Sequence, residues 1–211
     1  MADTAPEPTL VIACGALARE IMALIRHHGW DHLKVQCLPA ELHNRPGEIP
    51  GAVDRVIREA GSRFSRIFVA YADCGTGGEL DRVLAEHGVA RLPGAHCYEF
   101  FAGSHAFAAL AETEPGTFYL TDFLARHFER LVIRGLGLDR HPELAPLYFG
   151  HYRRLVYLAQ TDDERLRVMA REAADRLGLE FQEQSTGYGE LALALARQAD
   201  AGAEVALPWP S

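Results

Sequence analysis

The chain has 211 residues, a formal net charge of −8 and a pI near 5.7, a balance that argues against general affinity for nucleic acid or an anionic membrane surface. Apolar residues are 48% and charged residues 24%, a globular composition, and the length suffices to bury a core without staples. No apolar run approaches the roughly 20 residues that span a bilayer. The acidic, proline-bearing Met1–Pro8 carries no cationic leader pattern, so no signal peptide is expected.

Short apolar runs alternate with amphipathic helical stretches along the whole chain. Thr9–Ala13 reads as a first strand closing on Cys14-Gly15. Ala16–His28 follows as a helix with Leu17, Ile21, Leu24 and Ile25 on one face, stopped by Gly29. Leu33–Leu38 is a second strand containing Cys37, ended by Pro39. A proline-bounded loop, 39–46, carries His43 and Arg45 before a helix over Ile49–Ala60.

Ile67–Tyr71 reads as a third, buried strand. It stops at Asp73-Cys74, and Gly75, Gly77 and Gly78 turn the chain into a helix over Glu79–Glu86. Thr76 and Glu79 have capping-box spacing. Val89–Leu92 is a short fourth strand, and Pro93-Gly-Ala-His-Cys97 leads into an apolar helix over Tyr98–Leu110. Thr117–Leu120 is a fifth strand ending at Thr121-Asp122, and Phe123–Ile133 is helical. His141–Leu147 reads as a short helix, and a strand is favoured from about Leu155 to Gln160. Thr161-Asp-Asp-Glu164 opens, as a capping box, a helix to Arg176; Leu179–Gln182 and Gly189–Gln198 are the last strand and helix.

Repeated strand–helix units with short connections predict an α/β, doubly wound, largely parallel sheet with helices on both faces, a Rossmann-like three-layer sandwich. No linker interrupts the pattern, so a single domain is expected over 9–205, with 1–8 and 206–211 as loose termini.

In such a sheet the strands' carboxyl ends share one rim, where open α/β folds bind ligands. Cys14, Cys37, Cys74 and Cys97 follow or end strands one to four; Asp122 and Gln160 follow the fifth and sixth; His43 and His96 lie in loops of the same rim. Thiolates with or without imidazole select zinc, copper(I) or an iron–sulfur centre. Cys14, Cys74 and Cys97, each in a glycine-associated turn, are the candidate metal ligands. Cys37, flanked by Val35 and Leu38 inside a strand, reads as a core side chain. The spacings carry no motif: intervals of 23, 37 and 23 residues and no Cys-x-x-Cys pair.

Asp73, His43 and His96 are acid/base candidates, with His43 or His96 also available as a fourth ligand. Gly15, Gly75, Thr76, Gly77 and Gly78 would let backbone approach a bound group. A phosphate there is a weak option, because both the Walker ending and G-x-G-x-x-G are missing. Arg45 reads as an anion partner or a solvated loop residue. Four cysteines without a disulfide-scaffold pattern suit free or ligated thiols in the cytoplasm.

Ala13-Cys-Gly-Ala16, Leu42-His43 before Pro46, Asp73-Cys-Gly-Thr-Gly-Gly78, Gly94-Ala-His-Cys-Tyr-Glu99 and Thr117-Phe-Tyr-Leu-Thr-Asp122 together resemble an uncharacterised prokaryotic family, catalogued as a domain of unknown function (number sixteen thirty-eight). The resemblance implies that Cys14, Cys74 and Cys97 sit in family motifs and Cys37 does not, and it suggests an association with corrinoid-dependent methyl transfer.

Three functions follow as expectations. The first is a cytoplasmic metal- or iron–sulfur-binding protein, read as an enzyme, with zinc or a cluster on the three cysteines. The second is a metal-free thiol-dependent transferase using Cys74. The third is an accessory binding module for a corrinoid-dependent system. A small-molecule substrate or a partner protein is expected in each case, with a homo-oligomer left open and neither nucleic acid nor membrane as partner.

Overall fold

The computed structural model describes residues 7–199, so all but Glu7 and Pro8 of the termini expected to be loose lie outside the described residues. The chain divides into two compact units: one takes its described residues from Met1–Cys97 and Glu190–Ser211, and the other is Tyr98–Gly189. Each has its own parallel sheet with helices around it, so the α/β class expected from the alternation holds. The described strands are shared between two sheets instead of forming one.

In the first unit, β1 (Thr9–Cys14), β2 (Leu33–Leu38), β3 (Arg66–Ala70) and β4 (Ala90–Arg91) run parallel in the order β2-β1-β3-β4. All six residues of β1 are buried, because it lies between two neighbours and is covered on both faces. The edge strand β2 buries only its two ends. The helices are α1 (Ala18–His28), α2 (Ile49–Ala60), α3 (Glu79–His87) and α9 (Gly189–Ala199).

α2 shows why these segments fold as helices. Ile49, Val53, Val56, Ile57 and Ala60 recur at helical spacing and are the buried face, and Pro50 supplies the fixed φ tolerated in a first turn. Each fully buried aliphatic side chain of this kind stabilises by about 1.5–3 kcal/mol. α9 is tied into the same unit at its end: His32 Nε2 meets the Ala199 carbonyl at 3.1 Å, and Arg66 donates to Gln198 Oε1 at 3.2 Å.

The second unit has β5 (Thr117–Thr121), β6 (Arg154–Ala159) and β7 (Glu180–Ser185), parallel in the order β5-β6-β7. Around them stand α5 (Ser104–Thr113), α6 (Asp122–Arg126), α7 (Ala145–Phe149) and α8 (Glu164–Leu177); the short α4 (Cys97–Ala102) opens on the last residue of the first unit. Leu120, Phe128, Val132, Leu155, Tyr157, Leu166 and Ala170 belong to its core.

The boundaries differ from the periodic reading where single residues decide. The helix expected over Tyr98–Leu110 is two helices, broken at Gly103 with φ 78°. The stretch expected as one helix over Phe123–Ile133 becomes α6 followed by a π-helical turn over Glu129–Arg134, which buries Leu131, Val132 and Ile133 in succession. Neither expected capping box forms. Thr76 donates its hydroxyl to Asp73, leaving Gly78 as the N-cap of α3. Thr161 donates to Asp122, leaving Asp163 to cap α8 by accepting from Arg165 N–H at 3.0 Å. Among the described residues, no helix is long and apolar enough to cross a membrane.

Candidate metal centre

The strand order places β1 and β3 side by side, with β2 on one flank and β4 on the other. The chain therefore reverses its winding between β1 and β3, and their carboxyl ends form the switch-point crevice where parallel sheets take ligands. Cys14 ends β1, and Tyr71 to Cys74 follow β3.

The turn after β3 is built around one carboxylate. Asp73 Oδ1 accepts from Thr76 Oγ at 2.7 Å and Gly78 N–H at 2.8 Å, and Oδ2 accepts from the N–H groups of Gly75 and Gly77 at 3.2 Å. Gly75, Gly77 and Gly78 all have positive φ, which turns their N–H groups inward. The glycine turn thus cradles an anion supplied by its own chain. Those four bonds, the Thr76 hydroxyl foremost, hold the Asp73 carboxyl down at about 2, so the side chain serves as an anchor for the turn. Gly15, the remaining residue expected to line a cofactor, lies against neighbouring backbone: a Cβ there would stand 3.1 Å from the Leu38 carbonyl oxygen.

The same turn forces Cys74 to φ 51°, the left-handed conformation that costs a side-chain-bearing residue about 1–3 kcal/mol. It is the only non-glycine with positive φ among the described residues. Backbone bonds hold it there: Cys74 N–H donates to the Ala95 carbonyl at 2.9 Å and Asp73 N–H to that of Gly94 at 3.2 Å. The Cys97 loop is thereby laced to the Cys74 turn. Arg91 tightens the lacing by donating to the carbonyls of Leu92 at 2.7 Å and Gly94 at 3.3 Å while Asp81 grips its guanidinium at 2.6 and 2.8 Å.

The two sulfurs brought together, Cys74 Sγ and Cys97 Sγ, are 3.2 Å apart. His43 comes from the 3₁₀ turn Ala40–Asn44 after β2, bounded by Pro39 and Pro46, and Pro46 packs against Gly75. One ligating atom from each of His43, Cys74 and Cys97 lies within 4.8 Å of the other two. Cys14 Sγ sits 3.6 Å from His43 Nδ1 and accepts from Ala16 N–H at 3.3 Å. All four of these residues belong to the first unit.

Electrostatics separate the roles. The hydrogen bond shared with the Cys97 sulfur and, beside it, the His43 imidazole outweigh burial to bring Cys74 down to about 5. Cys97, which shares that bond and is half-buried, is pushed well above the ordinary thiol range. Burial works against a charged His43, yet the sulfurs of Cys14 and Cys74 hold it up at about 10. In the metal-free centre Cys74 thus ionises more readily than Cys97, and His43 favours its charged form.

Tyr71 is the member that periodicity counted as strand. It is fully buried, its ring stacks over His43 with centroids 6.1 Å apart at 14°, and its hydroxyl has no oxygen or nitrogen acceptor, only the Cys14 sulfur within reach. Burial first, then the charge of the Cys14 sulfur and a hydrogen bond to it, push its ionisation upward, so it remains a phenol. Its signal in the sequence was a polar aromatic ending an apolar strand just before Asp73-Cys74.

The other expected residues fall elsewhere. His96 is exposed in the loop before α4 and is not one of the three grouped ligands. Cys37, expected in the core, is exposed on the edge strand. Arg45 pairs with Glu48 at 3.0 Å, both exposed. Asp122 and Gln160, expected on the cysteines' rim, end strands of the second sheet, where Asp122 accepts from Tyr157 at 2.7 Å, Gln160 N–H at 3.0 Å and Thr161 at 2.5 Å.

No curated protein and no solved structure matches the chain. Residues 37–195 match the family model described as "Protein of unknown function (DUF1638)", a span that contains His43, Tyr71, Cys74 and Cys97 and begins after Cys14. With well over half of its length matched, the chain belongs to that family.

Proposed function

We propose that the protein is a zinc-dependent enzyme whose metal is held by His43, Cys74 and Cys97. The observation that carries this reading is the convergence of one imidazole and two sulfurs within 4.8 Å. Two thiolates and an imidazole are a borderline-soft set suited to zinc, and three protein ligands leave the fourth tetrahedral position open, as in catalytic sites. Two sulfurs bonded at about 2.3 Å to one tetrahedral ion would stand about 3.8 Å apart, so the 3.2 Å pair needs only a small outward shift. Cysteines on separate irons of a cluster would stand further apart, so a mononuclear ion is favoured over iron–sulfur.

Bound there, zinc would act as a Lewis acid on a water or substrate atom at the open position. The chain's own part is to fix the geometry. The Asp73 turn sets Cys74, the Arg91-braced loop sets Cys97, and Cys14 beside His43 Nδ1 orients the ring.

A second reading rests on the low Cys74 value. A thiolate beside an imidazolium is also the resting state of a thiol nucleophile. Elemental analysis of protein purified without chelators, before and after equilibration with zinc, separates the two. The metal reading expects a single zinc ion per chain, lost on His43→Ala, Cys74→Ala or Cys97→Ala. Protein that takes up no zinc, with Cys74 alone alkylated rapidly at neutral pH, would replace it with thiol chemistry.

A further inference from the structure

We infer that the Tyr71 hydroxyl donates a hydrogen bond to a small ligand at the open position of the His43–Cys74–Cys97 centre, a ligand of few atoms with a lone-pair acceptor, such as hydroxide or a small anion. This rests on the metal reading above and adds the class of ligand that the position takes.

The phenol oxygen is closed to solvent and has no oxygen or nitrogen acceptor among the described residues, only the weakly accepting Cys14 sulfur within reach, an arrangement that leaves room for a bound group with a stronger acceptor to complete it. Its ring is stacked on a proposed ligand, His43, and the hydroxyl lies within electrostatic reach of the sulfurs of Cys14, Cys97 and Cys74. The second unit shows the same kind of side chain completed: Tyr157, equally buried beside a carboxyl rim, donates to Asp122 Oδ1 at 2.7 Å. What Asp122 supplies to Tyr157, an anionic acceptor oxygen, is what Tyr71 lacks. Because the Tyr71 oxygen is closed to solvent, the inferred ligand is a small one. Tyr119, a half-buried phenol whose oxygen is closed to solvent, has Thr117 within reach and lies against the rings of Tyr98 and Phe107 instead of metal-ligating atoms.

Tyr71→Phe removes only the oxygen and supplies two readouts. In metal-free protein, the denaturation midpoint should be nearly unchanged, since only a weak contact with the Cys14 sulfur is lost; a clearly lowered midpoint would show a strong structural partner and overturn the inference. In cobalt(II)-loaded protein, titration with azide is followed by the visible spectrum of the metal. The variant should bind cobalt as the wild type does but azide about ten- to a hundredfold more weakly, the range for one hydrogen bond to a charged acceptor. Equal azide affinity in the two proteins, or no azide binding by either, would overturn the inference and leave the metal centre standing. A wild type that takes up no cobalt would overturn both.

Discussion

Each unit carries a buried tyrosine and an ionisable side chain at the carboxyl rim of its parallel sheet: Tyr157 with Asp122 in one, Tyr71 with Cys74 in the other. At Asp122 every strong donor nearby finds an acceptor. The carboxylate takes bonds from Tyr157, Gln160 and Thr161, and Gln160 Oε1 accepts in turn from Asp122 N–H at 2.7 Å. At Cys74 the backbone is held at φ 51°, two sulfurs crowd to 3.2 Å, and a phenol has no oxygen or nitrogen acceptor. A closed network at a strand end builds structure, whereas incomplete groups assembled at some cost point to something bound. The same topology supports both, so position on a rim alone does not identify a site.

The largest effect should come from the open rim. Cys74→Ala removes a ligand, and zinc affinity measured by chelator competition should fall by more than about a hundredfold, beyond the range for losing an outer partner. Retained affinity would remove Cys74 from the centre. At the closed rim the opposite pattern is expected: Asp122→Asn should lower unfolding free energy by about 2–4 kcal/mol through unmatched buried hydrogen bonds and leave zinc stoichiometry of the folded protein unchanged. Asp73→Ala should show a little of both, with about 1–2 kcal/mol lost in denaturant melts and weaker zinc binding as the Cys74 turn relaxes.

Stability against pH sharpens the comparison further in metal-free protein. Cys74 is lowered from 9.0 to about 5, so its contribution is complete above 9.0 and lost as pH falls through 5. His43 is raised from 6.5 to about 10, so its contribution is complete below 6.5 and lost as pH rises through 10. Together they predict a plateau of stability between 6.5 and 9.0 with a decline on either side. His43→Gln should lessen the alkaline decline, leaving the part that comes from the raised Cys97 thiol above 9.0. The smallest effect belongs to Cys37→Ser, at an exposed edge-strand position, which should change neither zinc binding nor the pH profile.

Much of this architecture was legible from patterning, because strand and helix periods are local properties of the chain. α2 runs over Ile49–Ala60 and β2 over Leu33–Leu38, as their apolar spacing indicates. The convergence of cysteines on a carboxyl rim followed from the parallel connections, and Cys14, Cys74 and Cys97 do end up around the first sheet. The division into two sheets was not legible, since the connection from β4 to β5 has no composition that sets it apart and pairing partners are non-local. Cys37 was misread because an alternating strand does not announce that it lies on an edge. The two capping boxes failed because Thr76 and Thr161 had stronger acceptors in Asp73 and Asp122. Tyr71 hid within an apolar strand, and its stacking on His43 and the lack of an oxygen or nitrogen acceptor for its hydroxyl bring it out.

The most direct test of the central claim is X-ray absorption at the zinc edge on the zinc-loaded protein. The account predicts two sulfur neighbours at about 2.3 Å and two nitrogen or oxygen neighbours at about 2.0–2.1 Å, with one sulfur lost in Cys97→Ala. A shell without sulfur, or one with three sulfurs that placed Cys14 on the metal, would contradict the His43–Cys74–Cys97 assignment.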